Sequence, residues 1–118
     1  MKDPKSELPL NPIVYYVLFS LVGKILHGYD IKRCVEGELE NSVPTATLYR
    51  HLGKMQERGL IEEVDAPPDN DDHRRQYFQL TKFGSSVRSH EYNRMVDVVE
   101  KGAKLGGLSQ PTFATEEV

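Results

Sequence analysis

The residues best suited to chemistry lie between positions 45 and 61, where cationic and hydroxyl side chains recur at helical spacing. Arg50, His51, Lys54 and Arg58 supply nitrogen donors, and Thr45, Thr47 and Tyr49 supply hydroxyls. Such donors suit phosphate oxygens and base edges, and the Arg fork matches the paired acceptors of guanine. Leu48, Leu52 and Met55 recur at i, i+4 and i+7, so they line the opposite side of one amphipathic helix. Thr45 or Thr47 is placed to cap its start, and Gly59 before apolar Leu60 has the form of a left-handed helix stop. A helix built this way suits a major groove; taken alone, it is described equally well as a surface helix with a solvated charged face.

Catalytic constellations are missing, and no enzyme activity is expected. There is no glycine-rich phosphate loop, no HExxH and no GxSxG in the chain. Asp69, Asn70, Asp71 and Asp72 faintly resemble a calcium loop but lack its central glycine and a closing glutamate at the right spacing. With no CxxC and four scattered histidines, neither a metal site nor a cofactor is expected. Cys34 is the single cysteine, which excludes an internal disulfide framework, fits a reducing cytoplasm and suggests a small apolar residue facing the core. The longest apolar run, residues 13–22, is interrupted by Ser20 and falls short of a bilayer span, so a soluble cytoplasmic protein without a membrane is expected.

The chain of 118 residues suits one domain, in which several elements must position the cationic helix. After a polar, flexible lead over residues 1–11, Asn11-Pro12 reads as a cap followed by proline at the first helical position. Ile13, Val17, Leu21 and Ile25, broadened by Val14, Leu18 and Phe19, predict a largely buried first helix that His27-Gly28 breaks. Tyr15 and Tyr16 could pack in the core, against a partner subunit or beside a ligand. Ile31, Cys34 and Val35 predict a short second helix fraying near Gly37, and Pro44 delimits the third. His27 and Tyr29, at the start of the second helix, suit either a turn-stabilising hydrogen bond or a phosphate contact. Residues 60–65 and 74–80 read as a two-stranded β-hairpin whose tip, with Pro67-Pro68 and the acidic cluster, is expected to be mobile.

Thr81 is placed to cap a fourth helix reaching about Lys101 and assigned to residues 82–104, with residues 105–118 a disordered tail. Val87, Tyr92, Met95, Val98 and Val99 fall on one broad face of it. Leaving such a face wet costs roughly 25 cal/mol per Å², so a twofold mate is the expected cover. The fold class that follows is mainly α with a small β-hairpin: a winged helix-turn-helix over residues 12–81 carrying a C-terminal dimerisation helix.

Formal net charge is -3, the wrong sign for nucleic-acid binding by bulk attraction, so any contact must be local. The third helix region carries Arg50, Lys54 and Arg58 against Glu57 alone, while Glu62, Glu63, Asp65, Asp69, Asp71 and Asp72 crowd the hairpin against Arg74 and Arg75. Those two arginines at the stem are expected to touch backbone while the acidic tip points away. A winged-helix adaptor that binds protein through its acidic hairpin or fourth helix is the competing reading.

His27-Gly28-Tyr29-Asp30-Ile31, Thr47-Leu48-Tyr49, Leu52, Gly59-Leu60-Ile61, Arg75, Tyr77-Phe78, Leu80-Thr81 and Gly84 stand in an order and spacing that resembles PadR-like transcriptional regulators. The resemblance covers about Ile13 to Gly84. It implies a dimeric winged-helix repressor of the phenolic-acid or multidrug-response type, with the third helix in the major groove of a palindromic double-stranded operator and the hairpin beside the minor groove. It further implies phosphate contacts from Thr47 and Tyr49, with a core aromatic as the competing reading of Tyr49. A small aromatic or cationic effector bound between the first and last helices is also implied, for which Tyr15, Tyr16, Phe19 and Tyr92 are the candidates. The short last helix resembles the compact subfamily. Two positions depart from the family pattern: Arg50 stands where proline is frequent, and the hairpin tip is acidic where glycine or basic residues are common.

Overall fold

A computed structural model of the chain describes residues 2–68 and 75–109. Its elements are a 3-10 turn Pro4–Glu7, α1 (Pro12–Ser20), β1 (Leu26–His27), α2 (Gly28–Leu39), α3 (Thr45–Glu57), β2 (Ile61–Val64), β3 (Tyr77–Leu80) and α4 (Lys82–Gly106). The three strands form one antiparallel sheet in the order β1-β3-β2. This is a winged helix-turn-helix followed by a long helix.

Each helix begins or ends where its residue chemistry dictates. Asn11 caps α1 by accepting the Ile13 N–H at 2.8 Å, with Pro12 at the first position, where its missing N–H costs nothing. His27 caps α2 through Nδ1, which accepts the Asp30 N–H at 3.2 Å. The turn between α2 and α3 is held by Glu36, whose carboxylate accepts the Val43 N–H at 2.7 Å and pairs with Lys32. The Val43 hydrogen bond, then Lys32, keep the Glu36 pKa below its ordinary value. Gly59, at φ +77°, ends α3: its N–H bonds to Gln56 (3.0 Å), and the Leu60 N–H to Met55 (2.9 Å). That pair of bonds is the left-handed stop expected at Gly59-Leu60.

The core joins Val14, Val17, Leu18 and Leu21 of α1 to Ile31 and Val35 of α2, Leu48, Leu52 and Met55 of α3, Leu60, Ile61 and Phe78 at the sheet, and Val87 of α4. Several details differ from the sequence expectation. α1 stops at Ser20, and Ile25 is exposed instead of completing the stripe. A strict four-residue repeat drifts about 40° per step around a 3.6-residue helix, whereas Val14, Val17, Leu18 and Leu21 hold one face. The freed segment adds β1 beside β3 (Leu26↔Phe78, His27↔Tyr77), so the expected two-stranded hairpin is a three-stranded sheet. α2 runs through Gly37 to Leu39, and Cys34 is exposed instead of core-facing. No Thr caps α3: Pro44 precedes it without a side-chain cap, and its carbonyl accepts the Leu48 N–H. α4 continues to Gly106, past the boundary expected at residue 104. Residues 69–74 and 110–118, which include the hairpin tip, Arg74 and most of the expected tail, lie outside the described residues.

Residues 2–11 were expected to be a loose lead, but here they form an arm packed between α3 and α4. Leu8 and Leu10 pack on the core, and the Leu10 N–H donates to Glu91 Oε2 at 2.7 Å. Glu91 is 1% exposed, and Arg94 bonds both its oxygens. Burial works against the Glu91 charge, yet the Arg94 and Leu10 hydrogen bonds with the Arg94 charge hold its pKa below the ordinary 4.5. A carboxylate stabilised in the fold contributes above its ordinary titration range, and the contribution is lost as pH falls through the lowered value. Glu91→Ala should therefore cost about 1–3 kcal/mol at neutral pH, because the Leu10 N–H loses its charged acceptor. Urea titrations of both proteins should show that difference shrinking as the solution is acidified below pH 4.5; a constant gap would refute the assignment.

Candidate nucleic-acid interface

The face of α3 opposite Leu48, Leu52 and Met55 is formed by Ala46, Arg50, Gly53, Lys54 and Glu57. Arg50 and Lys54 are exposed there, and Gly53 presents open backbone. Thr45 is exposed at the first helical position and Thr47 is half-buried on one flank. His51 is also half-buried, turned toward the arm with Arg58 instead of lying in the outward face. Burial, then the charges of Arg50 and Lys54, lower its pKa below the ordinary 6.5, so it is neutral near pH 7.

Tyr49 occupies the other flank and is 41% exposed, so it is no core aromatic. Its hydroxyl lies against the start of α2, only 2.2 Å from where a Cβ on Gly28 would stand. A cleft forms around this contact, lined by His27, Gly28, Tyr29, Tyr49, Arg75 and Gln76. His27, the α2 cap, lies 2.9 Å from Asp30 Oδ2 and 2.8 Å from the Arg75 guanidinium, and its ring meets Tyr77 edge-on. The hydrogen-bonding and packing role weighed for His27 is thus present. Tyr49 and Arg75 come together here, although they are far apart in sequence. Sequence reasoning missed Gly28 as the residue that admits the Tyr49 hydroxyl, and missed Gln76 as part of the cleft. The only signal was the unbroken His27-Gly28-Tyr29 stretch.

The described part of the wing is not cationic beyond Arg75. Glu62 accepts from Gln79 at 2.6 Å and Glu63 from Gln76 at 3.2 Å across β2 and β3. The cationic ground is therefore α3 and the base of β3.

The four aromatic candidates also meet. The Tyr15 ring lies 5.5 Å from Tyr16 and 4.6 Å from Phe19, and Phe19 lies 6.4 Å from Tyr92. The Arg88 guanidinium is 5.3 Å from the Phe19 ring. Burial, with Tyr16 and Glu91 nearby, raises the Tyr15 pKa above 10.0. Tyr15, Tyr16 and Phe19 line a cleft of about 370 Å³, while Tyr92 joins through Phe19 from α4. Of the residues expected at a subunit interface, Val87 is fully buried in its own domain's core and offers no surface. Met95, Val98 and Val99 are 41%, 53% and 46% exposed, Tyr92 is half-buried, and Leu105 extends the outward apolar stripe.

The order of elements defines a winged helix-turn-helix protein that exposes the cationic face of α3. The chain belongs to the PadR-like family of transcriptional regulators, whose model matches residues 17–90. No curated protein matches the chain significantly. Similar solved structures include H. salinarum RosR, at 19% identity and TM-score 0.67, covering 86% of this chain and 94% of that one. The RosR-S4 complex reaches TM-score 0.71 at 20% identity, covering 89% and 94%. A PadR family transcription regulator from Clostridium difficile R20291 gives TM-score 0.65 at 22% identity, covering 81% and 98%. At these identities the likeness concerns the fold. Among the described residues, no helix is long and apolar enough to cross a membrane.

Two glycines should respond differently to a methyl group. A Cβ on Gly84 would sit 1.9 Å from the Leu60 carbonyl oxygen, which is backbone, whereas one on Gly28 would meet the end of a half-exposed Tyr49. Gly84→Ala should lose about 1–3 kcal/mol or more in thermal unfolding, and Gly28→Ala should stay within about 1 kcal/mol because Tyr49 swings outward. Equal losses would refute the distinction.

Proposed function

We propose that this regulator binds a palindromic double-stranded operator as a homodimer in the cytoplasm and acts as a repressor that a small aromatic effector releases. The observation that carries the reading is the exposure of Arg50 and Lys54 on the outer face of α3, whose inner face is buried. Arg50 reads a base edge through its donor fork, and Lys54 supports it. Thr45, Thr47, Tyr49 and Arg75 set the register on phosphates, with His51 and Arg58 beside them and Arg74 assigned to the same strand stem. Met95, Val98 and Val99 meet their counterparts on a second copy, which places two α3 helices about one DNA turn apart. Effector binding is supported by the Tyr15, Tyr16, Phe19 and Tyr92 cluster, which borders both α1 and the helix that joins the subunits.

Fluorescence polarisation with the duplex upstream of its own gene, at two salt concentrations, tests the reading. A specific binder shows affinity falling steeply with salt, because each neutralised phosphate releases counterion. Flat, weak binding would instead favour an adaptor that uses the acidic wing. Arg50→Ala should cost about 1–3 kcal/mol and relax preference at one base pair per half-site. Uniform weakening on every sequence would make Arg50 a phosphate clamp instead. Val98→Glu should convert the dimer to monomers in sedimentation velocity, since it places like charges across the apolar seam; an unchanged dimer would put the interface elsewhere.

A further inference from the structure

We propose that Glu7 is an internal competitor for the DNA backbone: its carboxylate holds ground beside Arg58 that a phosphate oxygen would take, so the N-terminal arm tunes the affinity of α3 for a duplex. The proposal rests on the DNA-binding reading above.

The arm brings one acid to the basic flank of the helix. Glu7, His51, Lys54 and Arg58 line one small cavity of about 170 Å³, closed by Pro9, Leu10, Asn11, Val14 and Met55. The Glu7 side chain is only 17% exposed, and its Oε1 is buried without a hydrogen-bond partner. Arg58 Nε stands 3.9 Å away, close enough for attraction and too far for a hydrogen bond. A carboxylate kept purely for structure would be hydrogen-bonded, as Glu91 is at the other end of the arm. Glu7 instead faces the cations of α3 at ion-pair distance without a hydrogen bond.

Contacts on both sides of Glu7 hold the arm near this position. Lys2 donates to the Arg58 carbonyl at 3.1 Å and lies 5.8 Å from the centre of the Phe83 ring. Leu10 is held by Glu91. With both ends tethered, Glu7 acts at a high effective concentration, as an intramolecular ligand does. Arg58 is 55% exposed and keeps its reach toward solvent, so it can leave Glu7 for a phosphate when a duplex arrives. Affinity is then the difference between two partners for one guanidinium.

Glu7→Gln keeps the shape of the side chain and removes the charge. In a salt-series polarisation titration of the full chain, it should bind the operator duplex roughly two- to fivefold tighter than wild type at low salt, the range set by one partly exposed ion pair. The gain should shrink as salt rises, because screening weakens the Glu7–Arg58 attraction that only the wild type gives up on binding. Arg58→Gln should abolish the gain, so the double variant Glu7→Gln/Arg58→Gln binds as Arg58→Gln alone does. Wild-type affinity or weaker binding by Glu7→Gln, with the wild-type chain still binding the duplex, overturns the proposal alone. A gain that persists unchanged without Arg58 overturns it as well. A wild-type chain with no affinity for any duplex overturns the DNA reading and this proposal together.

Discussion

Everything that aims α3 depends on the packing of Leu60 against Thr81 and Gly84. The Leu60 carbonyl accepts the Thr81 N–H at 3.2 Å and leaves no room for a Cβ on Gly84. The Thr81 hydroxyl donates to Gly59 and accepts the Gly84 N–H at 2.9 Å. Two short stretches of backbone bonded to each other therefore end α3 and open β2, and close β3 and start α4. Because these termini share hydrogen bonds, α3 cannot rotate without disturbing the sheet or the long helix. Its cationic face is held in direction by backbone geometry as well as by side-chain packing.

The arm adds a second set of ties between the same two helices. Glu91 is a buried charge, expensive to hold unless every partner is present, and it is satisfied by Arg94 and by the Leu10 backbone. Glu7, three residues before Leu10, is half-buried, and its buried Oε1 has no hydrogen-bond partner. Within ten residues the arm thus combines a firm anchor on α4 with a loose one on α3. The contrast is physical: a saturated carboxylate is a fixture, and an unsaturated one beside cations is available for exchange.

The electrostatics are local for the same reason. A net charge of -3 cannot draw a polyanion to the whole surface, and the exposed glutamates of β2 lie on the wing. Arg50 and Lys54 are concentrated on one exposed face, at short range from any groove that face enters. Screening at physiological salt confines exposed charges to about 8 Å, so the acidic wing subtracts little from that contact.

Local rules reached far into this chain. Asn11-Pro12, Gly59-Leu60 and Thr81 announced helix limits because caps and stops involve neighbours within four residues, and the amphipathic pattern of α3 separated Arg50 and Lys54 from Leu48 and Leu52. Short-range signals failed where partners are distant. Two residues, Leu26 and His27, are too few to show strand periodicity, and they became β1 only because β3 offered its edge. Ile25 and Cys34 followed apolar spacing yet face outward, since burial depends on what stands opposite. Val87 looked like part of an interface until the core claimed it. Glu7 and Glu91 look in sequence like ordinary solvated acids, and only the folded arm sets one beside Arg58 and closes the other beneath Leu10. Thus the chain itself determined the helices and the hairpin, the caps at Asn11 and Thr81, the stop at Gly59 and the sign of the α3 face, all written in contacts within about one helical turn. Tertiary structure alone decided which charges are enclosed and which rings and loops converge, because those depend on neighbours tens of residues away.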